Sequence, residues 1–291
     1  MLYEEIKVFN SVIFDRLSLL LNNKPDLVTA EMVKELNESF GLSVEESFSF
    51  LLCAALGFDT ENEFDKKLWE LYSPHMIHHL DETLFTEDPY YKAVRINDGK
   101  TIGEWELRED KLAPFTAFVC DDPLTLPDGR IIPQIGFFDT EFSFLSVLQN
   151  GREWMTMMPN EIVTQRAPIN TAKGKIATYG LGLGYFAFMT ARKETVESVT
   201  IVERDESVIT LFKELLLPNF VNKEKIEIVR ADAFEFAERE APKRNFDYIF
   251  ADIWHDPSDG VECYQRFKSL EHLCPNTKFD YWIEKTLKLY M

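Results

Sequence analysis

Three glycines, Gly180, Gly182 and Gly184, stand between a strand-like run, Lys175-Ile-Ala-Thr-Tyr179, and an apolar run that reads as a helix from Phe186 to Arg192. Glycine suits a turn that bends sharply, takes up positive φ and lets a ligand reach the backbone with no Cβ in the way. A helix starting directly after such a turn points free N–H groups at that ligand. A lone Gly-x-Gly-x-Gly fits a purely structural turn equally well, so the acids that follow decide its meaning. Glu203, with Arg204 and Asp205 behind it, ends the β-branched run Val199-Thr-Ile-Val. It lies where a second strand would deliver a carboxylate to ribose hydroxyls. Asp232 ends the run from Ile226 and is followed by Ala233, and Asp252 ends the run from Phe246. Close behind Asp252 come His255 and Asp256. A carboxylate or an imidazole there could take a proton from a nucleophile, and an imidazole with an ordinary pKa of about 6.5 does so near neutrality. Three such groups could also hold an amine or a divalent ion.

Helical patterns fill the gaps, from Ser207 to Leu217 with Val208, Ile209, Leu211 and Phe212 apolar, and from Phe234 to Glu240. Strands alternating with helices at this spacing predict right-handed crossovers and a parallel sheet, so the four loops emerge on one carboxyl edge. Glycines and three carboxylates then converge on one crevice.

At this point the chain resembles the class I S-adenosylmethionine-dependent methyltransferase fold, and within it the spermidine synthase-like branch, over residues 151–256. The resemblance implies that Gly180, Leu181, Gly182 and Gly184 line the methionine moiety of S-adenosylmethionine. It also implies that Glu203 meets the ribose, that Arg204 lies in the cofactor site, that Asp232 and Ala233 meet the adenine, and that Asp252 is the acid beside the reacting group. Two departures stand out. Aminopropyltransferases of this family carry Asp inside the glycine turn, where this chain has Leu183, and they place a second acid three residues after the first, where Trp254 and His255 intervene before Asp256. Both point away from aminopropyl transfer and towards methyl transfer to a small-molecule or protein acceptor, with Asp252, His255 and Asp256 as the catalytic candidates. A catalytically inactive adenosyl-nucleotide-binding or regulatory protein and an aminopropyltransferase-like enzyme are the alternatives. So is an NAD-binding oxidoreductase, because Gly182-Leu-Gly-Tyr-Phe-Ala187 also fits Gly-x-Gly-x-x-Ala.

Before this region the pattern is helical, with an apolar stripe at Ile6, Phe9, Ile13, Leu17 and Leu20 and a capping-box start at Ser43-x-x-Glu46. His75, His78 and His79 would share a face of such a helix, a spacing that can hold a transition metal or simply form a polar edge. From residue 101 to 160 strands take over, and Asn150-Gly151 predicts a type I′ hairpin whose second strand, with Trp154 to Asn160, lies near the mouth of the crevice. The expected organisation is a helical module over 1–100, a strand-rich hairpin region over 101–160 and a Rossmann-like S-adenosylmethionine-binding domain over 161–291. Only 39 residues follow Asp252, and Phe279, Ile283 and Leu287 recur at helical spacing. The sheet is therefore expected to stop at its fourth strand, covered by the hairpin region, the helical module or a second copy of the chain.

The net charge of −19 is spread along the chain. Affinity for nucleic acid comes largely from Lys and Arg neutralising phosphates, so neither nucleic acid nor an anionic membrane is an expected partner. The start of the chain is acidic, no apolar run is long enough to span a bilayer, and four scattered cysteines form no metal or disulfide pattern. A cytoplasmic protein with no resident metal is expected.

Overall fold

The computed structural model describes residues 3–94 and 99–291. In chain order it opens with helices α1 (Tyr3–Asn23), α2 (Ala30–Phe40), α3 (Val44–Ala55) and α4 (Glu63–Met76), then strand β1 (Ile77–His79). Short helices α5 (Thr83–Thr86) and α6 (Pro89–Ala93) precede strands β2 (Lys100–Ile102), β3 (Trp105–Leu112), β4 (Phe118–Thr125), β5 (Ile131–Phe137), β6 (Phe142–Gln149) and β7 (Arg152–Thr156). The alternating part follows as α7 (Pro159–Thr171), β8 (Gly174–Tyr179), α8 (Tyr185–Ala191), β9 (Val196–Glu203), α9 (Glu206–Leu211), β10 (Ile226–Arg230), α10 (Ala233–Arg239), α11 (Ala241–Arg244), β11 (Tyr248–Ala251), α12 (Pro257–Leu270), β12 (Lys278–Tyr281) and α13 (Glu284–Leu289). Two compact units result: residues 1–83 with 111–143, and residues 84–110 with 144–291.

The first unit packs α1 to α4 with the three-stranded sheet β1-β5-β4. Its helices begin where the chain supplies caps. The Thr29 side chain accepts from the Met32 N–H at α2, and Ser43 and Glu46 form the full capping box at α3. Each such cap satisfies N–H groups that have no partner inside the helix and contributes about 1 kcal/mol. The core gathers Phe9, Phe48, Leu52, Leu68, Tyr72 and Phe137, with the Phe48 and Phe137 rings stacked at 3.8 Å. Burying each large apolar side chain contributes roughly 1.5–3 kcal/mol.

The histidine cluster corrects the expectation of one continuous helix. Pro74 lies in the last turn of α4, the helix ends at Met76, and Ile77–His79 pairs with β5 as a parallel strand. Successive strand residues point to opposite faces, so the histidines share no helical face. His78 Nε2 meets Gln134 Oε1 at 2.8 Å, while His79 lies on the Phe137 ring between the carboxylates of Glu45 and Asp139. Among the described residues no group of three or more His, Cys, Asp or Glu is placed to hold a metal ion.

The second unit carries a five-stranded sheet, wholly parallel, in the order β10-β9-β8-β11-β12. In order of appearance this is third, second, first, fourth and fifth strand, the doubly wound Rossmann-like arrangement that the alternating pattern predicts. A second sheet, β2-β3-β6-β7, contains the expected hairpin. Asn150 and Gly151 both take positive φ, 53° and 77°, as a type I′ turn requires.

The sheet does not stop at its fourth strand. β12 pairs with β11 from Tyr248↔Lys278 to Ala251↔Tyr281, and the Trp282 N–H donates to the Ala251 carbonyl at 3.0 Å. The helical spacing of Phe279, Ile283 and Leu287 therefore marks a helix only at its end, in α13. The i, i+4, i+8 spacing of Phe279, Ile283 and Leu287 was misleading because four strand residues are too few to show their own period, and Ile283, at φ 45°, interrupts any continuous helix. A fifth strand is the cover that an otherwise bare β11 needs. Among the described residues no helix is long and apolar enough to cross a membrane.

Candidate functional site

In a doubly wound sheet a crevice opens outside the carboxyl ends of the two strands where the strand order reverses. Here these are β8 and β11, so the glycine turn after β8 and Asp252 after β11 flank one opening. Their loops touch. The Gly180 N–H donates to the Val202 carbonyl at 3.0 Å, its φ is 93°, and a Cβ at this position would run into the Asp252 carbonyl oxygen. Gly180 is thus demanded by packing within the protein itself. Gly182 faces outwards, and a Cβ there would meet the Met155 sulfur.

Glu203 ties the turn to the end of β9. Its Oε1 accepts from the backbone N–H groups of Arg204 (2.7 Å) and Asp205 (2.9 Å), and its Oε2 accepts from the Leu181 N–H at 3.3 Å. Burial raises its pKa above the ordinary carboxylate value and prevails over these donors, which act the other way. Beside it lies a pocket with about 590 Å³ of empty space, open solvent included, lined by Gly182, Glu203, Arg204, Trp105 and Trp154 among others. The two tryptophans meet edge to face at 5.4 Å, and Trp105 Nε1–H donates to Asp205 Oδ2 at 3.1 Å. Asp232 stands at the end of β10 and caps α10, its Oδ1 accepting from the Phe234 and Glu235 N–H groups, with Ala233 buried behind it. Of the candidate cofactor residues, Gly182, Glu203 and Arg204 share the pocket, Gly180 and Leu181 brace the turn, Gly184 precedes α8, and Asp232 with Ala233 sits at the start of α10.

The three acid and base candidates separate. His255 and Asp256 are engaged at the start of α12: His255 Nδ1 lies 2.9 Å from Asp259 Oδ2, Asp256 Oδ1 accepts from the Ser258 N–H at 2.6 Å, and Asp259 accepts from the Asp256 N–H at 3.1 Å. The His255 ring also rests against Trp154, centroids 4.0 Å apart. Asp252 turns instead towards α7. Gln165 Nε2–H donates at 3.4 Å both to Asp252 Oδ2 and to Glu161 Oε2. Glu161 is 8% exposed and Gln165 1%. Burial raises the Glu161 carboxyl well above its ordinary range, and the nearby Asp252 charge raises it further. Burial likewise pushes Asp252 up to about 7. Two acids that interact in this way do not both ionise readily. Gln165 Oε1 is buried and has no partner among the described residues. The Gln165 amide nitrogen thus bridges two carboxyls, and a donor reaching its oxygen would satisfy that atom.

Glu161 and Gln165 escaped the sequence reading. Their signal is polar residues at i and i+4 on α7 beside the buried Ile162 and Ile169, an arrangement unusual for an apolar face. Tyr90 escaped as well. Its hydroxyl, on α6, donates to the Leu183 carbonyl at 2.6 Å inside the glycine turn.

Comparison with known proteins falls on the same region. Residues 169–272 match the spermine/spermidine synthase domain. The match takes in β8 to β11, the glycine turn, Glu203, Asp232 and Asp252. No curated protein matches the chain. Among solved structures, spermidine synthase from Thermotoga maritima is 18% identical over 43% of this chain and 48% of its own, with a TM-score of 0.32. A spermidine synthase in complex with the transition-state analogue AdoDATO is 17% identical over 64% of this chain and 57% of its own, with a TM-score of 0.39. A putative caffeoyl-CoA O-methyltransferase from Staphylococcus aureus is 23% identical over 40% and 51%, with a TM-score of 0.30. The chain spans about half the length of these structures, and each likeness is one of part of the fold.

Proposed function

We propose that the second unit binds an adenosyl sulfonium nucleotide at the carboxyl edge of its sheet and transfers an alkyl group from it to an amine, aminopropyl in preference to methyl. The observation that carries this reading is the Glu161–Gln165–Asp252 cluster, whose two carboxyls and unpartnered Gln165 oxygen suit an ammonium or amine. The spermine/spermidine synthase match over residues 169–272 supports it.

The residues present fit such a nucleotide. Gly182 and Glu203 line the adjoining pocket, and Asp232 keeps one carboxylate oxygen beyond its capping bonds. Glu203 and Arg204 would hold the ribose, and Asp232 with Ala233 the adenine. When bound, the nucleotide supplies an electrophilic carbon whose C–S bond breaks as the amine nitrogen bonds to it, leaving a neutral thioether. The protein's part is to align the two and to take the proton the amine must lose. Asp252 would accept it at its carboxylate, whose basicity burial raises. His255 and Asp256 would shape the loop that carries Asp252.

Methyl transfer is the second reading, favoured by one observation: Leu183, fully buried, stands in the turn where aminopropyltransferases have an acid. Incubating the purified protein with decarboxylated S-adenosylmethionine or with S-adenosylmethionine, each with a panel of diamines, separates the two. Released methylthioadenosine supports aminopropyl transfer, and released S-adenosylhomocysteine supports methyl transfer. Asp252→Asn should lose at least about a hundredfold in turnover, the usual scale of a lost general base, while still binding the nucleotide. Failure of the wild-type protein to bind either nucleotide would sink the proposal.

A further inference from the structure

We propose that Met155 is a specificity-determining residue that makes the glycine turn reject adenosyl donors with a carboxylate tail. The proposal rests on the adenosyl-donor reading above and names the feature that selects among donors.

A free backbone N–H on a glycine turn is a ready seat for an anionic group. In this turn that seat is taken. The Leu183 N–H donates to Met155 Sδ at 3.2 Å, and the same sulfur covers Gly182 so closely that a Cβ there would collide with it. The Leu183 carbonyl is taken as well, by the Tyr90 hydroxyl, and the Leu183 side chain is 0% exposed. The turn therefore presents a thioether where an anion would need a donor. Sulfur is a weak acceptor on a polarisable, apolar side chain, so a carboxylate brought against it would lose water and gain no hydrogen bond, a costly exchange.

The way Met155 is presented fits a selecting role. It sits on β7, the last strand in the order β2-β3-β6-β7, next to an irregularity at which Val147 pairs with Met155 but Leu148 with Glu153. Trp154 is the extra residue at this bulge, and bulges re-aim the side chains around them. Trp154 lines the pocket beside Glu203, while Met155 lies on the turn. One bulge thus offers an aromatic wall to the nucleoside end of a ligand and a thioether to its tail. A sulfonium donor whose tail ends in an amine, with no carboxylate, is the form this arrangement admits. The selection works by withholding a partner from the wrong donor, without any added contact to the right one.

Calorimetric titration of wild-type protein and Met155→Ala with S-adenosylmethionine and its decarboxylated form tests this. The wild type should prefer the decarboxylated form by at least about tenfold, and Met155→Ala should reduce that preference to about threefold or less by gaining affinity for S-adenosylmethionine. An unchanged preference in Met155→Ala, or a wild type that prefers S-adenosylmethionine, overturns the role of Met155 while leaving the adenosyl-donor reading intact. A second measurement needs no variant: the wild type should bind 5′-methylthioadenosine at least as tightly as S-adenosylhomocysteine, and tenfold tighter binding of the latter overturns the proposal. If no adenosyl compound binds, the reading beneath falls and this one with it.

Discussion

Glu161 and Asp252 have the largest consequences at the scale of single residues. Both carboxyls are raised by burial, Asp252 to about 7, against about 4 in an unfolded chain. For a carboxylate raised on folding, the contribution to stability is fully present below the unfolded pKa and is lost as pH rises through the folded value. The native protein should therefore lose stability between about pH 4 and 7. Glu161→Gln removes one of the two charges and should stabilise the protein by on the order of 1 kcal/mol or more at pH 8, with little gain at pH 4. Urea unfolding at the two pH values reads this difference, and equal effects at both would show that the two acids do not interact. If the pair also receives an amine, the same variant should weaken amine binding, a loss of function traded for stability. None of this was legible at Glu161 itself: an acid on a helix discloses its burial only once the helix has packed.

At the scale of elements, α12 shows how a motif can be right in place and still be read two ways. Asp256 was singled out by its closeness to Asp252, and the structure engages it in a reciprocal capping box with Asp259 before Pro257, the first residue of α12. Asp256→Ala should cost about 1 kcal/mol of stability, seen as a lower urea midpoint with unchanged slope, and a much larger loss of turnover than of stability would restore a direct role. The alternating strands and helices were legible because each strand falls in an apolar or β-branched run between helical patterns, and the strand ends because glycines follow β8 and acids follow β9, β10 and β11. β12 was not, since Lys278-Phe-Asp-Tyr281 carries two charges in four residues and gains its identity only from pairing with β11. β1 was missed for the same reason, hidden behind helical spacing of His75, His78 and His79.

For the whole molecule, the net charge of −19 sets behaviour that no single contact does. Like charges repel within the folded state, and salt screens them over a Debye length of about 8–10 Å at physiological ionic strength. Thermal unfolding should therefore shift upwards between roughly 10 mM and 150 mM sodium chloride. The same charge implies no retention on a heparin column at the higher concentration, and retention would reveal a basic patch that acts locally.

The order in which the sheet's loops present glycines and acids was determined by the sequence alone, because periodicity and turn chemistry are local and parallel crossovers have one hand. Glu203, Asp232 and Asp252 stand at strand ends in the structure as in the sequence reading. Tertiary structure alone decided what those groups face. Gln165 meets Asp252 across 87 residues of chain, Met155 reaches the glycine turn across 28, and Tyr90 holds the Leu183 carbonyl across 93. Contacts at such separations depend on register, bulges and packing between elements, and a one-residue slip in a strand turns every side chain to its other face. The positions of the chemistry were therefore written locally, and its partners were written only by the fold.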